Sequence, residues 1–161
     1  MLSTGFADGT GMKSRRACRE AALQVLYQCD ILADFSDERV NFFSNHFSTQ
    51  SDLEEDERPV AGESYSAALI QGVVKHIDYL DNMIGLASTN WSVSRMACID
   101  RNIIRIATYE IHFSADVPPK VSLNEAIEIA KKFSADDSPK FINGVLDKIV
   151  SLKNESGALE K

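Results

Sequence analysis

Residues 121–153, VSLNEAIEIAKKFSADDSPKFINGVLDKIVSLK, decide the fold class of this 161-residue chain. Ser122 and Glu125 have the S-x-x-E spacing of a capping box, and Ala126, Ile127, Ile129, Ala130 and Phe133 follow at helical intervals. A second start signal comes at Ser138, a natural N-cap, with Pro139 in the first helical position, where its missing N–H costs nothing. Phe141, Ile142, Val145, Leu146, Ile149 and Leu152 then recur with a period of about 3.6, the period of a helix rather than a strand.

Working outward toward the N-terminus, the same period repeats. DVPPK (116–120) predicts an extended connection, because prolines do not continue a helix. Before it, NWSVSRMACIDRNIIRIATYEIHF (90–113) predicts a short helix capped by Ser92, with Trp91 and Met96 as a hydrophobic staple, and a longer one over Ile99–Phe113. Tyr65, Ala68, Leu69, Val73, Ile77, Leu80, Ile84 and Ala87 predict one long helix ending near 88–90. A shorter helix after Ser36 carries Val40, Phe43 and Phe47 inward, before STQSDLEEDERP (48–59) forms a charged loop. From an N-cap at Ser14, Cys18, Ala21, Ala22, Val25, Leu26, Cys29 and Leu32 mark the first helix. No stretch alternates as a strand does. The expected fold is all-α, with about seven helices in two packed subdomains, about 13–88 and 91–154. Residues 1–12 read as a disordered leader or cloning remnant, with Met12 a candidate start, and 155–161 as a polar tail.

Composition narrows the function. No apolar run approaches the length of a membrane span, and the N-terminus has no signal-peptide pattern, so a cytoplasmic protein with no membrane partner is expected. Three cysteines without a C-x-x-C pair, and three scattered histidines, point to neither disulfides nor a metal, and no cofactor motif is present. Glycine-rich phosphate loops, G-x-S-x-G and H-E-x-x-H are also missing. Tyr109, Glu110 and His112 splay around a helix rather than converge. No catalytic residues, and hence no enzyme, are expected.

What stands out is charge placement. The net charge is −7, yet residues 1–29 hold four basic and two acidic groups, whereas 30–63 hold two basic and ten acidic ones. Arg15, Arg16 and Arg19 fall within one arc beside the apolar face of the first helix, joined by Lys13. A helix N-terminus is already positive, so cations gathered there favour an anion. Guanidinium groups suit phosphates and unpaired bases, which makes these residues RNA-binding candidates. Leu23 and Tyr27 continue the Arg19 stripe and would be covered by another helix or by a partner. Arg101 and Arg105, beside Asp100, form a smaller basic stripe, for which the plain alternative is pairing with Glu110 or another acid.

Together, RRACREAALQVLYQCD (15–30), DRNIIRIATYEI (100–111) and VPPKVSLNEAIEIAKKFSADDSPKFINGVLDKI (117–149) resemble the NusB family of bacterial transcription antitermination factors. The resemblance implies an all-helical, non-catalytic protein. Its expected partners are single-stranded boxA RNA of ribosomal RNA leaders, the ribosomal protein NusE and the RNA polymerase antitermination complex. It also implies RNA contacts for the basic segment and for Asp137, Lys140 and Phe141, and a partner-facing surface near Leu23, Tyr27, Asp100, Arg101 and Arg105. Ala17 interrupts what is often a run of three arginines, and an acidic insertion near 52–57 has no family counterpart. Self-association through Leu23 and Tyr27 stays open. Two other readings remain: the helical domain that some ribosomal RNA cytosine methyltransferases carry ahead of their catalytic part, and a helical scaffold that binds only proteins.

Overall fold

A computed structural model describes residues 10–50, 64–89 and 91–159. Among these, seven α-helices and no strands are found: α1 Thr10–Ile31, α2 Asp37–Gln50, α3 Tyr65–Lys75, α4 Ile77–Ala87, α5 Cys98–Phe113, α6 Pro119–Phe133 and α7 Ser138–Leu159, with a 3₁₀ turn at Val93–Arg95. The all-α expectation holds. The proposed acidic insertion near 52–57 and most of the proposed leader lie outside the described residues.

Two compact units divide the chain, Met1–Val74 and Lys75–Lys161. The expected boundary at 88–91 therefore moves back. The cause is the packing of α4, which lies against α5 and α7 and so belongs to the second unit.

In the first unit, α1 packs on α2, and its face of Cys18, Ala21, Ala22, Val25, Leu26 and Cys29 is buried as the period required. Ser14 does not cap it, because the helix already runs from Thr10, which also draws residues 10–12 out of the expected leader. Leu32 is 52% exposed, since the helix has ended at Ile31. There Asp34 N–H bonds the Cys29 carbonyl and Ala33 N–H that of Asp30, a Schellman closure with Ala33 at φ 52°. Ser36 caps α2, its Oγ accepting from Arg39 N–H at 3.3 Å. Val40, Phe43 and Phe47 are half-buried on α2, and Ser44 is the buried residue of that face. On α3 the buried set is Ser66, Ala67, Leu69, Ile70 and Val73, while Ala68 faces out. The long helix expected over 65–87 is broken at His76 (φ −109°, ψ 19°).

In the second unit, α5 packs against α4, α6 and α7 and is buried on most sides, which is the environment of a central helix. The α6 start corrects the capping-box expectation. Pro118 flanks the helix and Pro119 opens it, so Ser122 lies a turn inside, buried, with its hydroxyl unpartnered. Proline is excluded from helix interiors but fits the first turn, whose N–H groups have no intrahelical acceptor. Ile142, Val145, Leu146 and Ile149 of α7 are buried as expected, and the helix continues through residues assigned to the polar tail.

Candidate nucleic-acid interface

The basic segment lies on the first turns of α1, and its cations differ in environment. The Lys13 side chain lies outside the described residues. Arg16 is exposed. Arg15 is half-buried, its guanidinium 4.6 Å from the centre of the Tyr65 ring, and Arg19 comes to 5.8 Å from the same ring. Arg19 is only 3% exposed. The i, i+4 spacing of these arginines puts both on Tyr65, the first residue of α3, where cation–π attraction holds them. Two of the three arginines thus help join α1 to α3. The sequence reading missed Tyr65, for which the only signal was an aromatic opening a helix. Leu23 is 2% exposed and is a core residue, which corrects its assignment to a partner surface. Tyr27 is half-buried.

The smaller basic stripe is internal. Arg105 is buried, and its Nε and Nη2 donate to Asp81 Oδ1 and Oδ2, both at 2.8 Å, while Nη1 donates to Asn102 Oδ1 at 3.1 Å. The acid that its guanidinium grips in two parallel bonds is Asp81 of α4. Asp100 is buried too, with Oδ2 accepting from Ser138 Oγ at 2.8 Å. Burial removes Asp100, Arg105 and Leu23 from any surface. Arg101, half-buried, donates to the carbonyls of Val93 (3.1 Å) and Met96 (3.3 Å) and so ties down the 3₁₀ turn.

At the start of α7, Asp137 and Lys140 are exposed and Phe141 is half-buried. These three share a surface with Trp91, which sequence reading had treated only as half of a staple. The indole is 54% exposed. Two adjoining recesses, of about 490 and 290 Å³, meet along Trp91, Asp137 and Phe141. Among the described residues no group of histidine, cysteine or carboxylate side chains could hold a metal ion, and no helix is long and apolar enough to cross a membrane.

A helical chain with a basic entry helix and an aromatic–cationic surface has the chemistry of a binding protein. The NusB family pattern matches residues 16–151. The transcription antitermination protein NusB of Desulfotalea psychrophila is 42% identical over 147 residues, covering 88% of this chain and 98% of that protein. Its counterpart in Geobacter sulfurreducens is 42% identical over 146 residues, covering 91% and 100%. Among solved structures, Thermotoga maritima NusB superposes with a TM-score of 0.72 at 31% identity, over 85% of this chain and 90% of that one. A structure of the antitermination factors NusB and NusE with double-stranded RNA shares the fold, with a TM-score of 0.71 at 23% identity. The chain belongs to the NusB family, a family of non-enzymatic transcription antitermination factors.

Proposed function

We propose that this protein binds the boxA element of ribosomal RNA leaders as a single strand, jointly with the ribosomal protein NusE, and helps hold RNA polymerase in a termination-resistant state in the cytoplasm. The observation that carries the reading is the exposed Arg16, with Arg15 and Lys13 beside it, on the opening turns of α1 in a chain of net charge −7. Like charges crowded on one side of a helix repel one another, and an RNA phosphate relieves that repulsion. Asp137, Lys140 and Phe141 add a second set of contacts, polar and aromatic. A neighbour of the same fold, solved with NusE and double-stranded RNA, offers a precedent for such an assembly.

With Arg19 buried against Tyr65, the phosphate footprint of α1 is small. Affinity from counterion release scales with the number of phosphates neutralised, so the protein alone binds weakly and a second subunit adds the missing contacts. Titrating labelled boxA-type and scrambled RNA, with and without NusE, tests this. Selective binding sharpened by NusE and weakened by Arg16→Ala is the expected result. Equal binding of both RNAs, or full NusE binding with no RNA affinity, would replace it with the protein-only scaffold.

A further inference from the structure

Trp91 is a large apolar side chain left in water, on backbone that is firmly held. Its carbonyl accepts from the buried Ser88 hydroxyl at 2.9 Å. The 3₁₀ turn that follows is tied by Arg101 to the Val93 and Met96 carbonyls. Behind the turn, the Ser138–Asp100 hydrogen bond fixes the start of α7 to α5. An exposed indole on a fixed support is a preformed contact surface, since little ordering entropy remains to be lost on binding.

The surroundings indicate what it contacts. Trp91 lines both recesses, and so do Phe141 and Asp137. Each recess has its own exposed cation, Lys140 in the larger and Arg95 in the smaller. The larger is lined also by Gly144, in the interior of α7, where an added Cβ would meet nothing within 4 Å. Packing does not require glycine there, and glycine costs a helix roughly 1 kcal/mol relative to alanine. Its effect is to keep the recess open.

We propose that Trp91 is a wedge between two successive unstacked nucleotides of single-stranded RNA, one base in each recess, with Lys140 and Arg95 taking the flanking phosphates. The inference rests on the RNA-binding reading above and adds Trp91, Arg95 and Gly144 to it. Aromatic faces alternating with cations match the base–phosphate repeat of a single strand, whereas a duplex keeps its bases stacked away from an indole. Asp137 lines both recesses, so the phosphates fall to Lys140 and Arg95, one in each recess.

Trp91 is the single tryptophan of the chain, so its fluorescence reports on this place alone. The experiment follows indole emission and, in parallel, anisotropy of a labelled single-stranded boxA-type oligonucleotide, with NusE saturating and its own emission subtracted. Quenching should saturate at the same RNA concentration as anisotropy. Trp91→Ala should weaken binding about tenfold at an unchanged salt slope, because stacking releases no counterions, and Trp91→Phe should restore most of it. Arg95→Ala and Lys140→Ala should each flatten the slope of log affinity against log salt by about 0.7. Gly144→Leu should weaken binding while leaving the thermal midpoint unchanged or higher. If RNA binds but the indole is silent and both Trp91→Ala and Gly144→Leu bind as wild type, the wedge is wrong and the RNA-binding reading survives. If no RNA binds, both fall. An indole that responds to NusE and not to RNA would make this surface a protein contact and overturn the wedge.

Discussion

Ala33 closes α1 in a conformation that side chains resist. At φ 52° its Cβ crowds the backbone, a cost of roughly 1 kcal/mol that glycine does not carry. Ala33→Gly should therefore stabilise the protein by about 0.5 kcal/mol, part of the gain being offset by the freer unfolded chain, seen as a higher urea midpoint at constant m-value. Arg105 carries more. Its paired bonds to Asp81 form a fork in a buried setting, although Asp81 keeps 31% of its side chain exposed. Arg105→Met should cost about 2–3 kcal/mol, less than for a fully buried pair, and the loss should shrink in an Asp81→Asn background, as a double-mutant cycle in denaturant would show. From sequence, an internal pairing of Arg105 could be foreseen but its partner could not, because Asp81 lies on another helix. The same holds for Arg19. That it is basic was legible, but its burial depends on Tyr65, far along the chain.

At the scale of elements, α4 and α5 meet through an aromatic cluster. His76 stacks on Phe113 with ring centres 4.2 Å apart, and the Tyr79 hydroxyl and His112 Nδ1 are hydrogen-bond partners at 3.2 Å. His112 Nε2 is buried without a partner. Burial, and then the nearby Lys153 charge, lower the affinity of His112 for a proton below the ordinary value of 6.5. The folded state thus binds that proton less tightly than the unfolded chain does. Its contribution to stability is complete above about pH 6.5 and is lost as pH falls through the lower folded-state value. Thermal midpoints measured across this range should fall toward acid, and His112→Asn should flatten that fall. If the two profiles stay parallel, His112 is not the titrating group.

Elements also show why some boundaries were legible and others were not. α7 was read from an unbroken apolar period, and four of its six expected core positions, Ile142, Val145, Leu146 and Ile149, are buried, while Phe141 and Leu152 are half-buried. The start of α6 was misread because two signals compete: proline at 119 and the Ser122/Glu125 pair both mark N-termini, and proline, which fits only a first turn, sets the boundary. The break at His76 leaves no trace in the pattern, because Val73, Leu80 and Ile84 stay in helical phase across it, all buried. On the surface of the second unit, the motif named Lys140 and Phe141, and the structure places both along one recess. Trp91 was not legible, because its exposure depends on how the 3₁₀ turn is held by Arg101.

For the whole molecule, net charge and function pull in opposite directions. At −7 the chain repels RNA at long range, and salt screens that repulsion beyond about 10 Å. The RNA contacts proposed for the exposed Arg16 act within that distance. Removing one phosphate contact from a single-stranded complex should flatten the slope of log affinity against log salt by about 0.7, so Arg16→Ala should show that change in a salt titration with NusE. Arg15→Ala should also lower the melting temperature, because Arg15 stacks on Tyr65. An equal loss of affinity from both variants, with only the Arg15 variant melting earlier, would separate RNA contact from clamp.

Only His76 separates α3 from α4, and the division between the two units falls beside it, at Val74 and Lys75. That leaves a single residue between the two helices for a protease to grip. Trypsin reaches the bond after Lys75 only by melting a helix end, since cleavage requires an extended substrate. The rate of that cut under native conditions is therefore a measure of local opening energy at the joint, and a bound ligand that slows it has tightened α3 or α4.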